Sequence, residues 1–265
     1  MTKKLISLVA ILAGCAIMSE YPATVRAEDE GKITVVCPEA RLYLPGYPPF
    51  SDREAFFNDS LLYRRGLAIR DSERGRQAVT DAGADLGFYL SRFGAAMEVD
   101  LSESGTPAIA KYLKTTYDFV RTGISTAKDS FARQRPFSYF HESSAIPEEE
   151  GLYGEFTSYP SGHALRAWTI VMALVAIDDT HSCEIIKVGM ELAESRIITG
   201  FHYASDVEDA RMAASVGFAR IVSDPEFTRL MNRALISSAF FSSRYLTANF
   251  TLSNVSIYFL LSIIN

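Results

Sequence analysis

One stretch of the chain, residues 164–177, constrains the fold more than any other. Its sequence ALRAWTIVMALVAI is apolar on nearly every face of a helix, and Arg166 is its only charged residue. A helix of this kind is stable in water only when neighbouring elements cover it on all sides. We therefore expect residues 164–177 to form the central, buried helix of the domain.

The segments before this helix predict further helices and no sheet. Ser51 and Asp52 are good N-cap residues, and apolar residues then recur at near-helical spacing as far as Arg70. A further helix or two is predicted over residues 71–92, and another begins near Pro107, since proline is tolerated in a first turn. No run of alternating apolar and polar residues indicates a strand. The predicted fold class is all-α, as a single-domain helical bundle.

Charge and composition exclude several classes of partner. The chain of 265 residues has a net charge of −6, which argues against a broad basic surface for nucleic acid. Any anion site must therefore be local. The sequence shows no second histidine-rich cluster and no cysteine pair at metal-ligand spacing, so we expect neither a metal nor a cofactor.

The N-terminus has the features of an export segment. Lys3 and Lys4 precede a short apolar run that ends at Cys15, and this run is too short to span a bilayer as a mature helix. Its end resembles the lipobox of bacterial lipoproteins, in which the cysteine carries a lipid anchor. An ordinary signal peptide cut after Ala27 is the alternative. Either interpretation makes residues 1–27 an export segment and linker and predicts an exported, periplasmic protein.

His202 and Asp206 are the first candidate site residues. Positions four apart share a helix face, so the Asp206 carboxylate can hold one ring nitrogen of His202 while the other points away. That arrangement is typical of an activated histidine. Arg196 precedes His202 by six residues, with Gly200 as a turn between them. A fixed cation and a free imidazole nitrogen suit a phosphoryl substrate, although the same spacing also occurs in purely structural hydrogen bonds.

A second segment supplies two more cations. Arg135 stands before Pro136, which we expect to end a helix, because the residue before a proline is disfavoured in the α region. The Arg135 guanidinium can hold two phosphate oxygens at once. Lys128, two helical turns earlier, can add another positive charge. The same sequence pattern would also arise if Lys128 and Arg135 were ordinary surface cations near a helix end.

A third segment, Ser161-Gly162-His163, opens the central helix. The amides of Ser161 and Gly162 are expected to be free donors at the positive end of the helix dipole. Gly162 would let an oxyanion approach the backbone closely. His163 lies in the first turn, directed at the same anion. A simple N-cap role for Ser161 fits the sequence equally well.

Together, Lys128-x6-Arg135-Pro136, Pro160-Ser161-Gly162-His163 and Ser195-Arg196-x5-His202-x3-Asp206 resemble the three-part signature of the acid phosphatase and vanadium haloperoxidase superfamily. The closer resemblance is to the bacterial class A non-specific acid phosphatases, and it covers roughly residues 40–230. It implies a helical phosphatase domain, which we place at residues 28–233.

The resemblance also implies a mechanism, that of a metal-independent acid phosphatase acting on phosphate monoesters. His202 would form a phosphohistidine, Asp206 would fix the tautomer of its ring, and His163 would protonate the leaving oxygen. The phosphate oxygens would be held by the other residues of the signature, namely Lys128, Arg135, Ser161, Gly162 and Arg196. Inorganic phosphate or vanadate would occupy the same pocket.

Two other functions remain open on the sequence. An apyrase-like nucleoside di- or triphosphatase, or a pyrophosphatase, would use the same site, because the signature binds phosphate and not the leaving group. A non-catalytic, anion-binding exported lipoprotein would keep the cations but would need neither His163 nor His202. Both histidines are present.

Residues 234–265 depart from the pattern of that family and form an atypical apolar tail. Arg244 is their only charged residue, and their final apolar run is too short to span a bilayer. An oligomer contact, an interfacial anchor and a frameshift in the coding sequence each explain this composition, and we expect a homo-oligomer. Cys37 and Cys183 would be able to pair in an oxidising compartment, but their separation neither supports nor excludes a disulfide.

Overall fold

Helices make up the regular structure of residues 31–249, the part of the chain described by this computed structural model. In chain order they are α1 (Phe57–Ala68), α2 (Glu73–Thr80), α3 (Leu86–Met97), α4 (Pro107–Thr122), α5 (Ala127–Phe131), α6 (Pro136–Tyr139), α7 (Gly162–Val175), α8 (Ser182–Ile198), α9 (Ala204–Ile221) and α10 (Pro225–Asn249). Two 3-10 segments, Ala40–Leu42 and Pro147–Leu152, interrupt the loops. No strand occurs in this range, and the all-α prediction is confirmed.

The centre of the bundle is α7. It packs against α4, α8 and α9, and none of its residues is exposed. Leu165, Ile170 and Leu174 are fully or almost fully buried. A helix that is apolar on every side must lie inside the bundle, because any exposed face would leave apolar area in contact with water. The prediction of a central buried helix is confirmed.

Three chain segments meet at one end of this bundle. They are the N-terminus of α7, the C-terminus of α8 and the N-terminus of α9. The amide of Ser161 at the start of α7 donates to the carbonyl oxygen of Asp206 in the first turn of α9, at 3.0 Å. Because α8 and α9 are joined by a short turn, Arg196 near the end of α8 lies close to the same point.

Some predicted helix boundaries are wrong. Ser51 and Asp52 do not cap α1, which begins at Phe57. The Asp52 carboxylate instead accepts hydrogen bonds from the amides of Glu54 and Ala55, at 3.1 and 3.0 Å. Asp52 thus caps an irregular turn that precedes the helix, an arrangement that its side chain favours as strongly as a true N-cap.

The arginines between residues 64 and 76 have different environments. Arg64 pairs with Glu142 at the surface. Arg70, however, donates to the carbonyl oxygen of Ile198 at 2.8 Å, and Arg74 donates to the hydroxyl of Ser195 at 3.0 Å. Two of these arginines therefore hold the end of α8, the helix that carries Arg196.

Several predictions concern segments outside the described residues. The export segment with Cys15 and the last part of the tail, residues 250–265, belong to this group. The last helix, α10, runs through the predicted boundary at residue 233, with Ala234 buried and Ile236 exposed. Within residues 31–249, no helix combines the length and hydropathy needed to cross a membrane. Cys37 is buried and Cys183 is exposed, and both are free thiols.

Candidate active site

The connection between α8 and α9 brings Arg196 and His202 together. Gly200 adopts a φ of +84° in this turn, a backbone conformation that residues with a Cβ rarely adopt. The amides of Phe201 and His202 both donate to the carbonyl oxygen of Arg196, at 3.2 Å each. His202 therefore lies in the turn and Asp206 in the first turn of α9. The prediction that both residues occupy one helical face is wrong for His202.

The imidazole of His202 is buried and has a defined tautomer. Its Nδ1 lies 2.8 Å from the carbonyl oxygen of Ser158 and 3.5 Å from Oδ2 of Asp206. Because both neighbours are acceptors, Nδ1 carries the hydrogen and Nε2 keeps its lone pair. Nη1 of Arg135 lies 3.3 Å from Nε2 and can donate to it. The nearest acceptor for Nδ1 is thus Ser158, which the sequence did not indicate, and not Asp206.

Burial keeps the His202 ring neutral. Desolvation, together with the positive charges of Arg135 and Lys128, lowers the pKa of His202 to about 3. The hydrogen bond and charge of Asp206 oppose this shift without overcoming it. His202 is therefore unprotonated on Nε2 even in moderately acidic solution.

The carboxylate of Asp206 is held on both oxygens. Oδ2 accepts hydrogen bonds from the amide of Tyr203 at 2.9 Å and from the hydroxyl of Ser158 at 2.6 Å. Oδ1 accepts one from Nη1 of Arg133 at 2.5 Å. Burial alone would raise the pKa of Asp206, but the charge of Arg133 and the bonds from His202 and Ser158 hold it well below its usual value.

Pro136 does not end a helix as predicted, because α5 already stops at Phe131. Ala132 follows with a φ of +47°, and the chain turns there. Pro136 occupies the first position of α6, where a proline needs no amide hydrogen. Arg135 is its N-cap residue. Lys128 and Arg135 are therefore brought together by a turn and not by a common helix.

Both of these cations bind the loop that leads into α7. Nζ of Lys128 donates to the carbonyl oxygens of Thr157 and Pro160, at 2.7 and 2.8 Å. Nη2 of Arg135 donates to the same Thr157 oxygen at 3.1 Å. Burial and the neighbouring Arg135 charge lower the pKa of Lys128 to about 7, and burial lowers that of Arg135 to about 10.

Arg196 and His163 have buried polar atoms without a protein partner. Arg196 is 1% exposed, yet its Nε and Nη1 have no hydrogen-bond acceptor, and Nε2 of His163 has no partner either. Burial, followed by the charge of Arg196, lowers the pKa of His163 well below its usual value. Because an unpaired buried guanidinium is costly, this arrangement indicates a site for an anion.

The N-terminus of α7 differs from the prediction at one residue. The amide of Ser161 is not free, since it donates to Asp206, while the Ser161 hydroxyl accepts from the amide of Ala164 at 3.3 Å. Among the described residues we find no acceptor for the Gly162 amide. A Cβ built on Gly162 would meet no atom within 4 Å. The backbone at Gly162 therefore borders open space, as an approaching oxyanion requires.

The sequence profile of the PAP2 superfamily matches residues 112–223, a range that contains every predicted site residue. The non-specific acid phosphatase of Providencia stuartii is 33% identical over 188 residues, which cover 71% of this chain and 76% of the relative. The chain belongs to this family of acid phosphatases.

Other members of this acid phosphatase family show the same relationship. The non-specific acid phosphatase of Salmonella typhimurium is 32% identical over 193 residues, covering 72% of this chain and 76% of its own length. The acid phosphatase of Zymomonas mobilis is 27% identical over 187 residues, covering 71% of each chain. The protein is therefore a phosphatase, as its sequence predicted.

The site of this acid phosphatase contains residues that the sequence did not reveal. Arg133 binds Asp206 and Asp59, and the ring of Tyr153 lies 6.1 Å from that of His163. Asp59 gave one usable signal, because it shares the buried face of α1 with Tyr63. An acidic residue on an apolar face indicates a buried partner. Arg133 gave none, since its sequence neighbours resemble those of a surface cation.

Proposed function

We propose that this phosphatase hydrolyses phosphate monoesters through a phosphohistidine on His202, without a metal ion. The observation that carries the proposal is the neutral, buried His202, whose Nε2 lies 3.3 Å from Nη1 of Arg135 and whose ring is also exposed to the charge of Lys128. A basic nitrogen surrounded by fixed positive charge is suited to attack a bound phosphoryl group.

In the first step, Nε2 of His202 attacks phosphorus and forms a P–N bond. The P–O bond to the leaving group breaks, and its electron pair stays on the leaving oxygen, which takes a proton from His163. Although burial lowers the pKa of His163 in the free site, a bound phosphate dianion would raise it again. The hydrogen on Nδ1 remains on the ring, where Ser158 and Asp206 accept it.

In the second step, the now neutral His163 takes a proton from a water molecule. The water oxygen attacks phosphorus, the P–N bond breaks, and its electron pair returns to Nε2 of His202. Orthophosphate leaves, and His163 is protonated again for the next cycle. Over the two steps the substrate and one water molecule become the alcohol and orthophosphate, and both histidines return to their starting protonation states.

Charge on the equatorial phosphate oxygens is stabilised by groups already in place. Arg196 would supply Nε and Nη1, which have no protein partner, and the Gly162 amide would supply a further donor. Lys128 and Arg135, from the segment that contains α5 and the start of α6, add two positive charges. Donors that need no reorganisation lower the barrier more effectively than water can.

Substitution of the two histidines tests the assignment. His202→Ala and His163→Ala should each lower the turnover of p-nitrophenyl phosphate by at least about 10²-fold, as expected for a nucleophile and a general acid. His141→Ala is the matched control, because His141 is exposed, and it should keep the wild-type rate. A wild-type rate in either site variant removes that histidine from the mechanism.

Direct trapping tests the intermediate. Enzyme mixed with radiolabelled substrate at acidic pH and quenched rapidly in alkali, in which phosphohistidine is stable, should carry the label on His202. Label on another residue, or none during steady turnover of a rapidly hydrolysed substrate, contradicts the proposal. An unchanged rate in EDTA is expected if no metal takes part.

Monoesters are the proposed substrates, and the apyrase alternative differs only in the leaving group. Release of orthophosphate from AMP, ATP and pyrophosphate separates the two. A higher kcat/KM for ATP or pyrophosphate than for AMP would favour the nucleotide-hydrolysing alternative.

A further inference from the structure

Arg133 is as buried as the arginines of the phosphate site, but it directs its charge to carboxylates. Its side chain has no exposed surface. Nη1 donates to Oδ1 of Asp206 at 2.5 Å, and Nη2 donates to Oδ2 of Asp59 at 2.7 Å. Both carboxylates are buried as well. The three side chains therefore form a continuous row of charges, Asp59–Arg133–Asp206, that ends beside His202.

Asp59 is in turn attached to the residue before Asp206. Its Oδ1 accepts a hydrogen bond from the amide of Ser205 at 2.8 Å, and its Oδ2 accepts one from the Ser205 hydroxyl at 2.5 Å. Nη1 of Arg133 also lies 2.7 Å from this hydroxyl oxygen. Through these bonds α1 fixes both Arg133 and the N-terminus of α9, so Asp206 cannot rotate without breaking them.

Aromatic rings enclose the Arg133 guanidinium. Its Cζ lies 3.9 Å from the ring centroid of Tyr203, 4.8 Å from that of Tyr47 and 5.7 Å from that of Phe50. Tyr47 and Phe50 belong to the proline-rich segment 43–50, which precedes α1. These three rings keep water away from the guanidinium, and electrostatic interactions are stronger where water is excluded.

We propose that Arg133, supported by Asp59, is a positioning residue that holds the Asp206 carboxylate against His202 during phosphoryl transfer. The inference rests on the proposed phosphohistidine mechanism, in which the His202 ring gains positive charge. One guanidinium between two carboxylates leaves one net negative charge beside that ring. Both Nη atoms of Arg133 donate to protein carboxylates, whereas Nη1 of Arg196 has no protein acceptor.

The charged groups that face Asp206 determine how this position responds to pH. They are Arg133, Lys128, Arg135, His202, Asp59 and Asp209. The phenols of Tyr159 and Tyr203 are also near, and burial raises the pKa of both, so they stay neutral in acid. Of these groups, Arg133 contributes most to keeping Asp206 ionised. Its removal should therefore let Asp206 take up a proton in the acidic range.

Steady-state kinetics of Arg133→Gln test the inference. At acidic pH, kcat should fall about 10- to 100-fold, the usual effect of losing a group that orients a catalytic side chain. KM and the inhibition constant of orthophosphate should stay within about twofold, because Arg133 does not reach the phosphate. The acidic limb of the kcat profile should move to higher pH, and Arg133→Lys should restore part of the rate.

A matched control separates positioning from simple loss of a buried ion pair. Arg92 also bridges two carboxylates, Asp81 at 3.3 Å and Glu191 at 2.8 Å, but it makes no contact with Asp206. Arg92→Gln should lower the melting temperature while leaving kcat and its pH profile unchanged. Asp59→Asn keeps the shape of its side chain and should lower kcat less than Arg133→Gln does.

Single-turnover labelling of His202 by radiolabelled substrate distinguishes the possible failures. If the wild-type enzyme is not labelled on His202, the proposed function is wrong. If it is labelled and folded Arg133→Gln is labelled equally fast, the positioning role is wrong. A loss of orthophosphate affinity with unchanged kcat would make Arg133 a phosphate ligand and overturn the inference. Should Arg133→Gln not fold, wild-type kinetics in both Arg133→Lys and Asp59→Asn would overturn it.

Discussion

Lys128 has a charge that depends on pH in the range where phosphatases are assayed. Burial and the Arg135 charge lower its pKa to about 7. The ammonium form binds anions and the neutral amine does not, so kcat/KM, which reports the free enzyme, should fall as the pH rises above about 7. The measurement is kcat/KM for p-nitrophenyl phosphate across the pH range. Ionisation of the substrate is common to all variants.

Lys128→Met provides the comparison for this prediction. Without a titrating amine, the difference between the variant and wild type should be large below about pH 7 and should shrink above it. A constant ratio of the two kcat/KM values at all pH values would show that another group causes the alkaline limb.

At the level of single residues, the sequence indicated most of the site but not its supporting atoms. His163, Arg196 and His202 stood out because a motif gives each a chemical role. The carbonyl oxygen of Ser158 gave no signal, because every residue has one and only the folded backbone brings it to Nδ1 of His202. Arg133 was missed because its two acidic partners lie on α1 and α9, far away in sequence.

At the level of elements, the turn between α8 and α9 depends on Gly200. Its φ of +84° strains any residue with a Cβ, and a Cβ there would lie 2.3 Å from Nη2 of Arg70. Gly200→Ala should destabilise the protein by about 1–3 kcal/mol and lower kcat, because His202 lies two residues later in the same turn. Urea unfolding and steady-state assays measure both effects.

Gly151 supplies the control for this substitution. A Cβ at Gly151 would meet no atom within 4 Å, so Gly151→Ala should change stability by less than about 0.5 kcal/mol. Equal effects at the two glycines would contradict the importance of the α8–α9 turn.

A second element, the end of α5, should respond in the opposite direction. Ala132 has a φ of +47°, a conformation that costs alanine more than glycine. Ala132→Gly should therefore raise the unfolding free energy by about 0.5–1 kcal/mol, the size expected where glycine suits the native backbone. Chemical denaturation measures it. Lower stability would mean that the added freedom of the unfolded chain outweighs the relief of strain.

Helix types were predictable from the sequence, but helix ends were not. The all-round apolar pattern of residues 164–177 allowed one interpretation, a buried helix, and α7 confirms it. Pro136 allowed two, since proline both ends helices and begins them. The choice depended on α5 already having stopped at Phe131, which a local pattern does not show.

For the whole molecule, burial of neutral His202 should make stability depend on pH. In the unfolded chain the ring titrates at its ordinary value of 6.5, whereas in the native protein its pKa is about 3. Between these values the unfolded state binds more protons, so this ring's contribution to stability is complete above pH 6.5 and declines as the pH falls towards 3. Unfolding free energies at pH 7 and pH 4 measure the decline, which should be smaller in His202→Gln.

Orthophosphate should offset part of this acid sensitivity. A ligand that binds only the native state stabilises it, and well above its dissociation constant the stabilisation grows with the logarithm of the ligand concentration. Nε and Nη1 of Arg196, which have no protein acceptor, would donate hydrogen bonds to the bound phosphate. Thermal melts with and without phosphate at pH 5 test this. Equal melting temperatures would show that the pocket does not bind the free ion.

The 3-10 segment Pro147–Leu152 contains none of the proposed phosphate-binding cations, and Leu152 and the nearby Phe156 expose large parts of their side chains to solvent. Substitutions at these two exposed positions should therefore leave the proposed phosphate ligands in place. Related phosphatases can therefore share one mechanism and still differ in sequence at these two surface positions.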